Sequence, residues 1–411
     1  MPATFTYPGA YLEEVPSGPR SIEAAPTSIC VFVGRTARGP LAVDGPTPVR
    51  SFDEFERDYG GWHPGLSLPH AVHSFFSNGG RHALIARLRA SQGSVTDPPD
   101  DSGEGGPLSH ADYLGDAEAG SGLHALRRTE LFNLLCVPPD VPDGDTSPVV
   151  YQAALALCVE HRAMLLVDPP AAWSDADAIA HDHAAAVTAL GLSGRAARNA
   201  ALYFPRLLQH EAGSASPVVR VPCGAVAGVM ARTDGSRGVW KAPAGAEAGL
   251  REVVDLAVHL ADAETADLNP CGVNALRRLV TGQCVIWGAR TLAAADAAEV
   301  EYKYVTVRRT ALHIEHSVVR GIAWAVFEPN GEALWAQLSL RVGAFLHSMF
   351  RQGAFQGSTP REAYFVKCDA QTTTQDERNR GVCTLVIGFA PLKPSEFVVL
   401  RLAQRTAVPG V

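Results

Sequence analysis

The sequence VPCGAVAGVMARTDGSRGVWKAPAG occupies residues 221–245 and has a proline or glycine at nearly every joint. Glycine permits tight turns and close approach of two backbones, and proline fixes φ where a chain changes direction. The pattern predicts a short helix over 225–232, a turn at 233–235 and a large apolar anchor at Trp240. Because no nucleophile lies beside a base in this stretch, it indicates packing and not chemistry.

The composition is that of a large globular protein. The 411 residues are 46% hydrophobic, which is enough to fill at least two cores. A net charge of −8 with no basic tract argues against a nucleic-acid partner. Residues 1–6 lack a positively charged start and an apolar core, and no apolar run approaches the length of a membrane span. We therefore expect no signal peptide, no direct membrane insertion and synthesis in the cytoplasm.

The cysteines show no metal or redox motif. There is no CxxC pair, and most of the thiols lie among apolar neighbours, which predicts buried free cysteines. The eight positions are 30, 136, 158, 223, 271, 284, 368 and 383.

The first two thirds of the chain indicate an arm followed by a mixed α/β domain. Prolines and glycines exclude a helix from residues 1–20, and within this arm residues 11–15 could add a strand to another sheet. Residues 91–110 are an acidic loop without apolar periodicity. Apolar runs at 28–34, 131–137, 163–167 and 199–204 alternate with helical patterns, which predicts a parallel sheet with covering helices. Further expected elements are a helix capped by Ser51, helices at 149–161, from 175 and at 247–260, and a loop at 239–246.

The last third has a different pattern. We predict a helix over 308–326 and a second over 332–352, capped by Asn330 and closed by Gly353. The second helix has an apolar stripe of Trp335, Leu338, Val342, Phe345 and Met349, with Gln337, Arg341, Ser348 and Arg351 on the other side. Strands follow at 363–368, 382–389 and 396–402, and residues 404–411 form a short tail. The expected fold class is α/β (α+β): a mixed α/β domain and a β-rich α+β domain, with extended terminal arms.

No catalytic or metal constellation is complete. The sequence at 191–195 is GLSGR and lacks the last glycine of a nucleophile elbow, and no phosphate-binding or dinucleotide-binding glycine motif is present. Asp168 ends an apolar strand, where catalytic carboxylates often lie, but a rigid strand exit before two prolines explains it more simply. The pairs His181 with His183 and His313 with His316 could each offer two metal ligands without a third. Thr374 and Glu377 form a capping-box pattern.

Several separated blocks resemble the tail sheath proteins of contractile phage tails and contractile injection systems. The opening stretch AVAGVMARTDGSRGVWKAPAG is similar to the segment that marks this family. Other similar blocks, in the expected order, are YPGAYLEEV from residue 7, APTSICVFVGR from 25, DYLGD, GLHAL and LFNLLCVPP within 112–139, GART from 288, YKYVTVRRT from 302, FEPNGEALWAQL from 327, YFVKCDAQTTTQD from 364 and APLKPSEFVVLRL from 390.

The resemblance implies a mechanical protein that uses no cofactor or metal and is not an enzyme. Sheaths of this family form stacked six-membered rings around an inner tube in a metastable extended state, then contract and drive the tube through a target envelope. The implied partners are other copies of the chain, the inner tube protein, and baseplate and terminator or cap proteins. The implied location is the bacterial cytoplasm during assembly, then a phage tail or an injection particle.

The resemblance also assigns parts of the chain. It implies an arm over 1–20, an outer domain over 21–264, an inner domain over 265–402 joined by the N-terminal segment, and a tail over 403–411. Arms that cross to neighbouring subunits would use Tyr7, Tyr11, Leu12, Val15, Phe397, Val398, Val399, Leu400, Arg401 and Leu402. Arg341 and Arg351 are candidates for charged contacts with the tube, although simple solubilising arginines explain them equally well.

Three alternatives remain open. A virion tail sheath is hard to separate from an injection-system sheath, although the modest length leaves little room for extra outer domains and so favours an injection device. The type VI version divides its sheath between two chains, which fits this chain less well because it carries both ends. A soluble α/β hydrolase-like enzyme is the alternative from another class.

Overall fold

The computed structural model describes residues 21–42, 45–90, 106–173, 183–211, 216–296 and 301–394. The chain forms two compact units. The larger unit contains Ala25–His316, Ala354–Gln356 and the segment from Pro391, and the smaller contains the segment up to Ala24, Ser317–Gly353 and Gly357–Ala390. The stretch 265–316 belongs to the larger unit.

The larger unit is built on an eight-stranded mixed sheet. Six central strands are parallel, and one further strand joins antiparallel at each edge. The order is β11-β10-β6-β5-β4-β1-β3-β2, with β1 Cys30–Gly34, β2 Thr47–Val49, β3 Ala83–Arg87, β4 Leu134–Cys136, β5 Met164–Val167, β6 Ala200–Phe204, β10 Val273–Arg278 and β11 Cys284–Ile286. Strands β1, β4, β5 and β6 are buried at every residue, as expected for parallel strands covered on both faces. The predicted parallel sheet is confirmed.

Helices cover this sheet and enclose two apolar cores, one with each set of alternating strand residues. Ser51 caps the first helix by accepting a hydrogen bond from the Glu54 N–H at 3.1 Å, as predicted. The described α-helices that end within the larger unit are α1 Phe52–Tyr59, α2 Ser67–Ser77, α3 His110–Leu114, α4 Pro148–Glu160, α5 His183–Thr188, α6 Cys223–Arg237 and α7 Asp262–Leu268. Short 3-10 helices lie at Gly122–Arg128, Gly194–Asn199, Asn269–Cys271 and Leu292–Ala295. The predicted helix from 175 is described only where α5 lies.

A small antiparallel sheet in the larger unit corrects one prediction. Strands β7 Leu207–Gln209, β8 Val218–Arg220 and β9 Asp255–Leu256 pair in the order β8-β7-β9. The helix expected over 247–260 is wrong, because this stretch gives its backbone hydrogen bonds to other strands. The Leu250 N–H bonds to the Cys284 carbonyl at 2.8 Å, and the Val254 N–H bonds to the Leu208 carbonyl at 2.9 Å.

The turn predicted at 233–235 is also wrong, because α6 runs through it to Arg237. The Thr233 hydroxyl donates to the Val229 carbonyl at 2.8 Å, four residues earlier, which is compatible with a helix. Gly235 is exposed, and no atom lies near the position of a Cβ. It lowers the stability of the helix only through the backbone entropy that a glycine loses on becoming helical. The predicted loop over 239–246 is confirmed.

The smaller unit contains helices and a two-stranded sheet. Helix α8 Val305–Gly321 begins in the larger unit and crosses the division at Ser317. The other described elements are a 3-10 helix at Ala323–Ala325, α9 Glu332–Arg351, α10 Pro360–Ala363, β12 Tyr364–Lys367, α11 Gln375–Asn379 and β13 Val386–Phe389. The predicted stripe of α9 is confirmed, since Trp335, Leu338, Val342, Phe345 and Met349 are all buried. Thr374 and Glu377 form the predicted capping box at α11.

Asn330 does not cap α9, which corrects the expectation. The helix begins after Gly331 without a side-chain cap. Asn330 instead donates to the Val382 carbonyl at 2.8 Å and accepts from the Trp335 indole N–H at 2.9 Å. The side chain therefore joins the start of α9 to the stretch before β13. Within the described residues, no helix is both long and apolar enough to cross a membrane.

Candidate functional site

The glycines of the opening stretch lie where two helices touch. Gly224 and Gly228 are one turn apart on α6 and face α2. A Cβ atom at Gly224 would lie 2.0 Å from the Ala71 carbonyl oxygen, and one at Gly228 would lie 2.4 Å from the Phe75 carbonyl oxygen. Side chains at these positions would force the helices apart. The two glycines therefore fix the contact between α6 and α2.

A buried ion pair holds the same helix to α8. The Arg309 guanidinium donates to both carboxylate oxygens of Asp234, at 2.9 and 2.5 Å, and to the Thr27 carbonyl at 2.9 Å. The side chains of Arg309 and Asp234 are 4% and 3% exposed. The planar fork of arginine suits this bidentate arrangement. The pair connects α6, α8 and the chain before β1.

Asp168 is a buried carboxylate at the start of α6. Its Oδ1 accepts a hydrogen bond from the Cys223 N–H at 2.8 Å, in a helix whose N-cap Pro222 offers no side-chain cap. Burial raises the pKa of Asp168 to about 6, against the hydrogen bonds that lower it. Burial also raises the pKa of the Cys223 thiol well above its ordinary value, so this neighbour is a poor nucleophile. The arrangement supports helix capping more directly than catalysis.

The two histidine pairs have different outcomes. His313 and His316 are both buried on α8. The His316 Nε2 atom lies 3.2 Å from the Arg162 carbonyl oxygen, and burial lowers the pKa of both histidines. His181 and the His183 side chain lie outside the described part of the chain. No group of three or more His, Cys, Asp or Glu side chains suited to a metal occurs among the described residues.

A cleft of about 430 Å³ opens in the larger unit between α2 and the small sheet. The Trp62 ring is centred 4.4 Å from His73 and 5.1 Å from His70. Burial, with the charge of Arg220, lowers the pKa of His70 to about 4, so this imidazole is neutral at pH 7. Arg220 is paired with Glu211 at 2.8 Å.

The lining of this cleft suits an apolar or planar group better than a phosphate, since its arginine is already engaged. Its serine, Ser74, is hydrogen-bonded to the Gln209 amide at 3.2 Å and not to a histidine. The cleft was not predicted from the sequence. Histidines at 70 and 73, one helical turn apart, were the available signal.

The candidate tube-contact arginines have different surroundings. The Arg341 guanidinium stacks over the Trp324 ring, 3.9 Å from its centroid, and is half-buried. Arg351 is exposed in the last turn of α9. The structure therefore places Arg351, but not Arg341, on the fully exposed face as expected. Leu340, which is 68% exposed, adds an apolar side chain to the solvent-exposed face of α9.

The described part of the smaller unit contains one sheet, formed by β12 and β13. The strands are antiparallel, with Phe365 opposite Gly388 and Lys367 opposite Val386. Phe365 is 56% exposed and Val386 is 39% exposed. Two-stranded sheets are marginally stable alone, so this sheet gains most from additional strands. The arm residues predicted to supply them, from Tyr7 to Val15 and from Phe397 to Leu402, lie outside the described residues.

All eight cysteines are free thiols, and six of them are buried, as the sequence predicts for most of them. Two pairs are close in space. The sulfur atoms of Cys30 and Cys136 are 3.6 Å apart in the large sheet, and those of Cys368 and Cys383 are 3.6 Å apart in the smaller unit.

Comparison with known proteins gives a consistent result. Residues 108–292 match the family model of the phage tail sheath protein central domain. The solved structure of the anti-feeding prophage baseplate, six-fold symmetrised, contains a chain with 27% identity and a TM-score of 0.70, covering 98% of this chain and 100% of that one. The contracted helical sheath of the same prophage gives 26% identity and a TM-score of 0.70, with coverage of 98% and 100%.

A third match extends the agreement in fold. The contracted sheath complex of PVC, an extracellular contractile injection system, gives 23% identity and a TM-score of 0.75, covering 98% of this chain and 99% of that one. A search of curated protein sequences gave no significant match.

These findings confirm the resemblance drawn from the sequence blocks: the chain is similar to the sheath proteins of phage tails and contractile injection systems. The match to the phage tail sheath central domain covers residues 108–292, and the likeness in fold to chains of contractile injection systems extends over nearly the whole length. The matched chains come from sheath and baseplate assemblies.

Proposed function

We propose that this chain polymerises as stacked six-membered rings around an inner tube, in a metastable extended state, and contracts to drive the tube through a target envelope. The support is the near-complete coverage of chains from a six-fold baseplate and from a contracted helical sheath. In this role the partners are other copies of the chain, the inner tube protein, and baseplate and terminator proteins. No catalytic step belongs to the stroke.

Strand exchange between subunits is the proposed connection within the lattice. The observation that carries it is the sheet of β12 and β13, which has only two described strands and partly exposed apolar side chains on them. Added strands supply main-chain hydrogen bonds that do not depend on a rigid orientation of the domains. The donors would be the N-terminal arm with Tyr7, Tyr11, Leu12 and Val15, and the C-terminal strand Phe397–Leu402. Two arms per subunit would make the lattice multivalent.

Contact with the tube is proposed for the exposed face of α9, with Arg351 as the stronger candidate. Its guanidinium is exposed at the end of the helix, whereas Arg341 is engaged with Trp324. Exposed ion pairs are individually weak, so a ring of them can hold a tube and release it together. The inner position of the smaller unit follows from the same proposal.

An injection device is favoured over a virion tail. The coverage of injection-system chains is nearly complete in both directions, which leaves no large insertion for extra outer domains. Assembly would take place in the bacterial cytoplasm and the finished particle would act there or after release. A virion tail sheath is the second candidate, and a gene neighbourhood with capsid genes would favour it.

Co-expression with the neighbouring tube protein, followed by negative-stain microscopy, tests both contacts. Deletion of residues 1–15 should leave a folded chain that forms no contractile sheath. Arg351→Glu should weaken co-purification of tube and sheath, whereas Arg361→Glu, at another exposed arginine of the smaller unit, should not. Normal contractile particles from the deletion would contradict the arm assignment. Equal tube retention by the two arginine variants would contradict the tube contact.

A further inference from the structure

Two cysteines of the smaller unit are positioned to react with each other. Cys368 follows β12 directly, Cys383 precedes β13, and their sulfur atoms are 3.6 Å apart. Cys368 is 8% exposed, and Cys383 is half-buried. A disulfide has sulfur atoms about 2.05 Å apart, so each sulfur would have to move by less than about an ångström.

The segment that joins these cysteines is held in place on both sides. The strands at its ends are in register, with Lys367 opposite Val386. The Thr384 N–H donates to the Thr373 hydroxyl at 3.0 Å, and the Asn330 amide donates to the Val382 carbonyl at 2.8 Å. Since these bonds fix the backbone next to both thiols, the short distance between the sulfurs belongs to the fold.

We propose that Cys368 and Cys383 form an intrachain disulfide when the folded protein meets a low-molecular-weight disulfide such as glutathione disulfide. The more accessible Cys383 thiolate attacks one sulfur of glutathione disulfide and releases one glutathione thiolate. Cys368 then attacks the Cys383 sulfur, its proton passing to the second departing glutathione. Two protein thiols are oxidised to one disulfide, and one glutathione disulfide is reduced to two glutathione molecules.

The order of attack follows from the surroundings of the two thiols. Burial, reinforced by neighbouring Cys383, raises the pKa of Cys368 to about 12, so this thiol is a poor first nucleophile. It becomes competent once a mixed disulfide on Cys383 lies next to it, because the second step is intramolecular.

The second close pair provides a control within the same molecule. Cys30 and Cys136 have the same sulfur separation of 3.6 Å, but both are 0% exposed in the centre of the eight-stranded sheet. Glutathione disulfide cannot reach them without unfolding of the sheet. The distance between the sulfur atoms therefore does not by itself decide which pair reacts. The reactive pair must also be accessible to glutathione disulfide.

This modification goes beyond the proposed function, because it requires only the folded chain. It would close the loop between β12 and β13 covalently in an oxidising environment and leave it open in a reducing cytoplasm. If the sheet of β12 and β13 accepts arms, as proposed above, the disulfide would stabilise the acceptor after release from the cell. The stabilisation of the acceptor sheet rests on the proposed function, whereas the formation of the disulfide does not.

Peptide mapping of the purified, unassembled chain tests the proposal. The folded protein is incubated with glutathione disulfide, its remaining thiols are alkylated, and it is digested with trypsin without reduction. Cleavage at Lys367, Arg378 and Arg380 should yield peptide 368–378 linked to peptide 381–401, since Pro394 blocks cleavage after Lys393. Reduction should separate the two peptides, and Cys30 and Cys136 should stay unlinked until denaturation.

A variant adds a physical readout. Glutathione disulfide should raise the thermal unfolding temperature of the smaller unit in the wild-type chain and leave that of Cys383→Ser unchanged, because only the first can close the loop. Three results would overturn the proposal: both thiols alkylated after treatment, a stable glutathione adduct on Cys383 beside an alkylated Cys368, or equal linkage of Cys30 and Cys136. Failure of sheath assembly with a normal disulfide would instead count against the proposed function alone.

Discussion

Replacement of Asp234 by alanine should destabilise the larger unit far more than removal of an exposed ion pair from the same helix. In the wild-type chain Arg309 is 4% exposed and makes two of its three described hydrogen bonds to Asp234. The variant leaves a buried guanidinium with only the Thr27 carbonyl. An uncompensated buried charge of this kind costs about 3–5 kcal/mol in the free energy of unfolding.

The control is the pair of Arg237 and Glu247. Arg237 lies one turn after Asp234 on α6, and one nitrogen of its guanidinium donates to both carboxylate oxygens of Glu247, at 2.9 and 2.8 Å, but the side chains are 52% and 66% exposed. Glu247→Ala should therefore cost about 1 kcal/mol or less. Each pair has two charge-assisted hydrogen bonds, and the side chains differ greatly in exposure, so the contrast between the two variants reports mainly the effect of burial.

Urea denaturation followed by far-ultraviolet circular dichroism measures both changes. If the two units unfold in separate transitions, only the transition of the larger unit should shift. Adding Arg309→Met to Asp234→Ala should recover at least about 2 kcal/mol, because the second change removes the stranded charge and keeps an apolar side chain. The reasoning is refuted if Asp234→Ala costs no more than Glu247→Ala, or if the costs of the two buried changes simply add.

Two further outcomes follow from α6. Gly228→Ala should destabilise the chain by about 1–3 kcal/mol, because the new Cβ would lie 2.4 Å from the Phe75 carbonyl oxygen. Gly235→Ala should stabilise the chain by up to about 1 kcal/mol, because nothing lies near its Cβ. The midpoints of urea denaturation measure both changes, and equal effects would contradict the contact between α6 and α2. Since burial raises the pKa of Asp168 to about 6 from 3.8, its stabilising contribution is complete below pH 3.8 and is lost as the pH rises through 6, by up to about 3 kcal/mol. Asp168→Asn keeps the Oδ1 acceptor and should flatten that part of the stability curve between pH 4 and 7, and an unchanged curve would contradict the assignment.

The sequence predicted best what depends on continuous local patterns. Apolar runs located the strands at 28–34, 131–137, 163–167 and 199–204, since strands buried on both faces need an apolar side chain at nearly every position. The stripe of α9 and the capping box at Thr374 were also readable, because helical spacing and cap chemistry are local properties.

The errors arose where a distant partner outweighed the local preference. Residues 233–235 have turn chemistry, but Asp234 is held by Arg309, 75 residues away in sequence, and the helix continues. Residues 247–260 have helical composition, yet their N–H groups bond to strands before and after them. Asn330 has the chemistry of a cap, but its amide is used by Val382 and Trp335. The cleft beside Trp62 was missed because its walls come from segments far apart in sequence.

The contact of α6 with its surroundings has a consequence for mutation. Gly224 is restricted by Ala71, Gly228 by Phe75, and Gly238 by the Trp240 ring, which a Cβ would approach to 2.4 Å. Each position depends on a different neighbour, so no single compensating change can relieve more than one of them. Substitution of these three glycines should therefore be tolerated poorly, whereas Gly235 should accept alanine. Three glycines of the stretch 221–245, which contains the segment that resembles the sheath family, are thus positions where the fold leaves no room for a side chain.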